Sequence, residues 1–86
     1  MMIDFHRSWE SDYKKLRPAQ QERFREQLKL FMHNPHHPLV NNHALHGTRN
    51  GFRSINVGGD LRAVFREADD SYIFYRVGTH HQLYGK

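Results

Sequence analysis

The chain is 86 residues long, which allows one small domain spanning 1–86 and no second core. It contains no cysteine, which excludes a disulfide framework and any thiolate metal site. Thirteen Lys and Arg against nine Asp and Glu leave a net charge of +4, with eight histidines besides, a balance that favours a polyanionic or acidic partner.

The N-terminus, Met1 to Arg7, lacks the apolar stretch of a signal peptide. No apolar run elsewhere approaches the roughly 20 residues of a membrane span. A cytoplasmic protein that does not engage the membrane is expected. Met2-Ile-Asp-Phe-His6 alternates as a short first strand, and Ser8 then offers a side-chain oxygen to cap a helix. Trp9, Tyr13 and Leu16 fall on one face of that helix. Pro18 breaks the pattern and suits the first turn of a second helix, which runs to His33 with Phe24, Leu28, Phe31 and Met32 as its apolar stripe. Asn34-Pro-His-His-Pro38 stops it. The loop that follows is tacked to the body by Leu39, Val40 and Leu45.

A strand from Phe52 to Val57 places Phe52, Ser54 and Asn56 on one side and Arg53, Ile55 and Val57 on the other. Gly58-Gly59 turns the chain into a second strand, where Leu61, Ala63 and Phe65 alternate with Arg62, Val64 and Arg66. Asp69-Asp70-Ser71 is turn chemistry, and Tyr72 to Val77 is the aromatic, β-branched composition of a central strand. Gly78-Thr79 ends it and delivers His80-His81. The order is β-α-α-β-β-β, an α+β fold with an N-terminal strand, a helical hairpin and a C-terminal antiparallel meander.

The meander gathers two chemically useful residue types. Histidine has an unperturbed pKa of about 6.5, suited to giving or taking a proton near neutrality. Arginine matches phosphate oxygens with a planar fork that does not titrate. His80 and His81 therefore pair naturally with Arg53, Arg62 and Arg66 around a phosphate. Each arginine has an alternative use, snorkelling or pairing with Glu67, Asp69 or Asp70. Tyr84 can stack on a base. Lys14, Lys15, Arg23, Arg25 and Lys29 on the helices, with Arg49 beyond, offer phosphate contacts that position RNA without reading its sequence. His36-His37 and His43-x-x-His46 match no zinc spacing and have no acidic neighbour in the loop, so neither metal nor cofactor is expected.

In order and spacing the chain resembles the RelE/ParE superfamily of bacterial toxins, and most closely its RelE- and YafQ-like ribonuclease branch. The residues that carry the resemblance are Leu45-His46-Gly47, Phe52-Arg53, Leu61 to Arg66, and Arg76-Val-Gly-Thr-His-His-Gln-Leu-Tyr84. The resemblance implies a metal-independent endonuclease that cuts mRNA at the ribosomal A site by attack of a 2′-hydroxyl on the adjacent phosphate, and a cognate antitoxin protein that silences it. Carried across, it makes His80 the proton-transfer residue, Tyr84 the substrate-contacting aromatic and Arg62 the phosphate-stabilising arginine. Arg53 falls at a basic position, Asp60 at an acidic one, and His46 near a further histidine. His81 has no settled counterpart. Asn56 departs from the pattern where that branch carries a histidine, and Leu61 where it carries a tryptophan. The departure at Asn56 keeps a second reading open, a ParE-like toxin that binds DNA gyrase without cutting RNA. A third is an antitoxin-binding relic without activity.

Overall fold

Two amphipathic helices have to bury one face each, and a sheet with an apolar side gives them the surface to do so. The structure, a computed structural model, describes residues 2–85. Its elements are β1 (Met2–Phe5), α1 (Arg7–Lys14), α2 (Pro18–His33), β2 (His43–Ala44), β3 (Arg53–Gly58), β4 (Leu61–Ala68), β5 (Ser71–Thr79) and α3 (His80–Tyr84). The strands form a single sheet in the order β1-β5-β4-β3-β2. β1 lies parallel to β5 at one edge, and the remaining neighbours are antiparallel. This is the expected α+β arrangement, with β2, a 3-10 turn at Gly47–Arg49 and α3 added to it.

The core fills the space between the α1–α2 hairpin and one side of the sheet. Trp9, Phe24 and Phe31 come down from the helices onto Ile55, Ala63, Phe65, Phe74 and Val77. Alternation accounts for most of this set: Ile55 pairs with Ala63, and Ala63 with Val77, so all three share a face. At Val64–Phe65 the register shifts, and Phe65 pairs with Phe74. Tyr75 is the extra residue of a bulge in β5, so Phe74 and Val77 both reach the core although three positions apart.

Several expectations from the sequence are corrected. Ser8 does not cap α1. The cap is His6, whose Nδ1 accepts the Ser8 N–H at 3.1 Å, while the Ser8 hydroxyl donates to the Tyr75 carbonyl at 2.7 Å. Ser8 is drawn away because the bulge leaves that carbonyl outside the ladder. Met32 is 48% exposed and Leu39 67%, so neither belongs to the core; Leu30 packs against it in place of Met32, and Val40 alone of the loop residues is fully buried. Val64, on the face it shares with Arg62, is buried as well, because α3 folds over it. The turn between β3 and β4 falls on Gly59-Asp60, with Gly58 still in β3, and Gly58 and Gly59 both have positive φ, 147° and 55°.

Candidate active site

The side of the sheet away from the hairpin is covered by one short helix, and its presence follows from four residues. Thr79 is the N-cap of α3: its hydroxyl accepts the Gln82 N–H at 3.1 Å, and Gln82 Oε1 accepts the Thr79 N–H at 2.9 Å, a reciprocal capping box. Gly85 closes the helix in the left-handed region at φ 72°. Gly78 lets the helix approach, since a Cβ there would lie 2.8 Å from Gln82 Oε1 and 3.4 Å from Leu83 Cδ2. Gly78→Ala is therefore expected to displace the Gln82 amide and loosen α3 at a cost of about 1 kcal/mol. Amide exchange at Gln82 and Gly85 should accelerate while the sheet amides stay protected; unchanged exchange would mean that other contacts hold the helix.

Between α3 and the sheet lies a cleft of about 250 Å³ lined by Phe52, Val64, Tyr75, Arg76, Leu83 and Tyr84, with Ser8 and Arg49 at its margins. Its walls are rings and guanidinium groups. Phe52 and Tyr75 meet edge to face at 5.3 Å, and His80 meets Tyr84 the same way at 4.7 Å. The Arg49 Cζ lies 4.6 Å from the Tyr84 ring centroid, and its Nη2 donates to the Leu83 carbonyl at 3.2 Å. The Arg66 Cζ lies 5.3 Å from the Phe52 centroid. Ser54 Oγ, Asn56 Oδ1 and the Tyr84 hydroxyl are buried without a hydrogen-bond partner. Ser54 pairs with Val64 and Asn56 with Arg62, so both side chains belong to the α3 side of the sheet. Unsatisfied buried polar atoms are uncommon in folded proteins, and here they gather on one face.

The candidate residues divide between this face and others. His80 and Tyr84 are one helical turn apart and in contact. His81 is exposed on the same helix. Arg62 stands on the α3 side, across from Asn56 and Gly78, but its Nη1 donates to the carbonyls of Gly59 and Leu61, so the guanidinium lies along its own turn. Asp60 is exposed in that turn. Arg53 is not beside Arg62: it alternates with Ile55 onto the hairpin side, and its Nε donates to Asn42 Oδ1 at 2.7 Å. His46 lines a separate depression with Arg53 and Glu67.

Arg49, expected among surface phosphate contacts, is half-buried against Tyr84 instead. Lys14, Arg23, Arg25 and Lys29 are exposed on the hairpin, on the other side of the sheet; Arg25 is paired with Glu22, and Arg23 packs along Gly58. The Arg25 guanidinium hydrogen bond holds the Glu22 carboxyl below its usual range. Lys15 lies closer, beside Thr79 and Gln82.

Phe52 and Arg76 carry the family resemblance, but neither they nor Tyr75 were given a site role by the sequence. The bulge turns Tyr75 and Arg76 toward the cleft together. Asp12 of α1 then holds Arg76 through Nε at 2.6 Å and Nη2 at 3.3 Å, and accepts the Val77 N–H at 3.0 Å. The hydrogen bond that Arg76 donates to Asp12 raises the Arg76 pKa above its ordinary value. The available signal was its place four residues before His80; the missing information was Asp12, distant in sequence. Among the described residues, no group of three or more His, Asp or Glu side chains is placed to hold a metal ion.

The arrangement brings aromatic rings, a histidine of a type able to transfer a proton and arginines of a type able to meet anionic charge into one region. Such a set suits a single-stranded nucleic acid. The comparisons agree with the fold. The E. coli BL21(DE3) YafQ structure superposes with a TM-score of 0.82 at 22% identity, over 96% of this chain and 97% of that one. A YoeB/ParE toxin from Agrobacterium tumefaciens gives 0.76 at 18% identity, over 93% and 99%. The E. coli DinJ–YafQ toxin–antitoxin complex gives 0.67 at 27% identity, over 96% of each chain. No curated protein matches by sequence at a significant level. The family model described as the bacterial toxin of type II toxin–antitoxin systems, YafQ, matches residues 1–85, and the chain therefore belongs to the YafQ family of toxins.

Proposed function

We propose that the protein is an mRNA endonuclease that acts at the ribosome and is silenced by a cognate antitoxin. The observation that carries the reading is the contact of His80 with Tyr84 beneath the Arg49 guanidinium, at the mouth of a cleft walled by Phe52, Tyr75 and Arg76. Tyr84 takes the base beside the cut, as aromatic rings do in single-stranded recognition. The 2′-oxygen attacks the adjacent phosphorus as its proton leaves, the P–O5′ bond breaks, and the 5′-oxygen takes up a proton. The products are a 2′,3′-cyclic phosphate and a 5′-hydroxyl. His80 is the residue assigned to proton transfer, with exposed His81 beside it on α3. Arg62 and Arg76 supply positive charge to the phosphorane, Arg62 after its guanidinium turns from the Gly59 and Leu61 carbonyls. The electron and proton balance of this step requires no metal or other cofactor. Asp60, Arg53 and His46 do not line the cleft, and Arg53 and His46, which share a separate depression, are assigned to the binding of flanking RNA.

An antitoxin partner is supported by the DinJ complex of the E. coli relative. The test is expression without antitoxin, followed by primer extension on a translated message. Cuts at codon-linked positions that vanish when the start codon is destroyed are expected. Cuts in both messages would remove the ribosome from the reading. Growth arrest with intact RNA would overturn it in favour of gyrase binding.

A further inference from the structure

A second cleft, of about 330 Å³, lies on the other flank of α3, where the helix meets the junction of α1 and α2. Arg76 lines both clefts, so they share a wall. Their chemistry differs. The first is walled by rings, whereas the second presents Lys15, Gln20, Thr79, Gln82 and Arg76.

Gln20 and Gln82 have the same local geometry. Gln20 Oε1 accepts the Arg17 N–H at 2.9 Å, and Gln82 Oε1 accepts the Thr79 N–H at 2.9 Å. Both carbonyl oxygens are thus fixed on the N–H of an N-cap residue, Gln82 within a reciprocal capping box and Gln20 through this bond alone, and each amide nitrogen keeps its two protons as donors. Asp12 also lines this cleft, but its oxygens accept from Arg76 and the Val77 N–H. The lining therefore carries two cations, Lys15 and Arg76, against one carboxylate already engaged.

We propose that this cleft is a second subsite, binding the sugar–phosphate backbone of the nucleotide next to the one whose base stacks on Tyr84. The inference rests on the ribonuclease reading and extends it. Arg76, in the shared wall, meets the phosphate between the two nucleotides. Neither the Gln20 nor the Gln82 amide reads a base edge in this arrangement, so the subsite adds affinity without sequence preference.

The test is an NMR titration with a 2′-O-methyl RNA trinucleotide, which has no attacking hydroxyl, alongside a single 2′-O-methyl nucleoside monophosphate. Gln20→Glu keeps the bond from the Arg17 N–H, since glutamate accepts it equally well, but replaces donors with a carboxylate. It should weaken trinucleotide binding by about tenfold, a charge-assisted contact being lost and reversed, and leave mononucleotide binding unchanged. Lys15→Gln should lower the slope of log K against log salt by about 0.7, the value for one phosphate contact on a single strand. Side-chain amide signals of Gln20 and Gln82 should shift with the trinucleotide alone. Shifts at Tyr84 without shifts at these amides, or a Gln20→Glu variant that binds as tightly as the parent, would overturn the subsite and leave the ribonuclease reading standing. Absence of shifts anywhere would likewise overturn the subsite, while the ribonuclease reading stands or falls by the primer-extension result.

Discussion

Replacing His80 with alanine is expected to reduce cleavage of a translated message by about 10² to 10⁴-fold, the range over which a positioned proton-transfer group acts. The thermal midpoint should stay within a few degrees of the parent. His80 is exposed at the first position of α3, and the capping bonds belong to Thr79 and Gln82. The edge-to-face contact with Tyr84 gives His80 a competing role, because truncation also removes support from that ring. His80→Phe separates the two: it keeps an aromatic edge against Tyr84 and has no proton to transfer. Primer extension under matched expression should show both variants silent. Recovery of cutting in the phenylalanine variant would reduce His80 to a packing residue and move proton transfer to His81.

Arg49 differs from the other basic residues in what it touches. A guanidinium over the Tyr84 ring and bonded to the Leu83 carbonyl holds the C-terminal turn in place. Its contribution passes through Tyr84, so it acts as a positioning residue in the proposed site. Lys14 and Lys29, exposed on the opposite side of the sheet, have no such path to the cleft.

The parts of this structure that depend on period were readable from the chain. Trp9 and Phe24 fall at helical spacing, and Ile55, Ala63 and Phe65 fall at strand spacing; all five are buried. Pro18 at the start of α2 and Asn34-Pro35 at its end fix that helix from local chemistry alone. What was hidden depends on contacts distant in sequence. The β5 bulge leaves no mark in a run that is aromatic and β-branched apart from Arg76, yet it decides that Tyr75 and Arg76 face the cleft. Asp12 gave no hint of a site from within an amphipathic helix; only folding brings it to Arg76. Arg53 and Arg62 each sat plausibly in an apolar alternation, and the register of β3 on β4 places them on opposite sides. The capping box at Thr79 and Gln82 was a local signal, with Gly85 behind it, and it marks the helix that carries the candidate site.

Phe74→Ala is expected to destabilise the fold by about 3–5 kcal/mol, the usual cost of removing a fully buried aromatic side chain. Phe74 has no exposed surface, and its ring lies 5.2–5.9 Å from Phe5, Trp9, Phe24, Phe31 and Phe65. These neighbours come from β1, both helices of the hairpin and β4, so collapse into the cavity would have to move four elements at once. Stabilities of small domains are about 5–15 kcal/mol, and one of this size belongs at the lower end. The variant should therefore unfold at a much lower urea midpoint with a similar slope. Leu39→Ala, at an exposed side chain, should stay within about 0.5 kcal/mol. A change below about 1 kcal/mol at Phe74 would mean that the aromatic cluster relaxes freely and does not lock the hairpin to the sheet. Phe74 also precedes the bulge that aims Tyr75 and Arg76, and β5 runs directly into the Thr79 cap of α3. Loss of the core contact should then reach the candidate site by a specific path: the bulge loses its anchor on the core side while the Ser8 bond to the Tyr75 carbonyl remains. Folded Phe74→Ala, held together at low temperature, should accordingly show shifted resonances at Arg76 and Thr79 before any at Pro18 or His43.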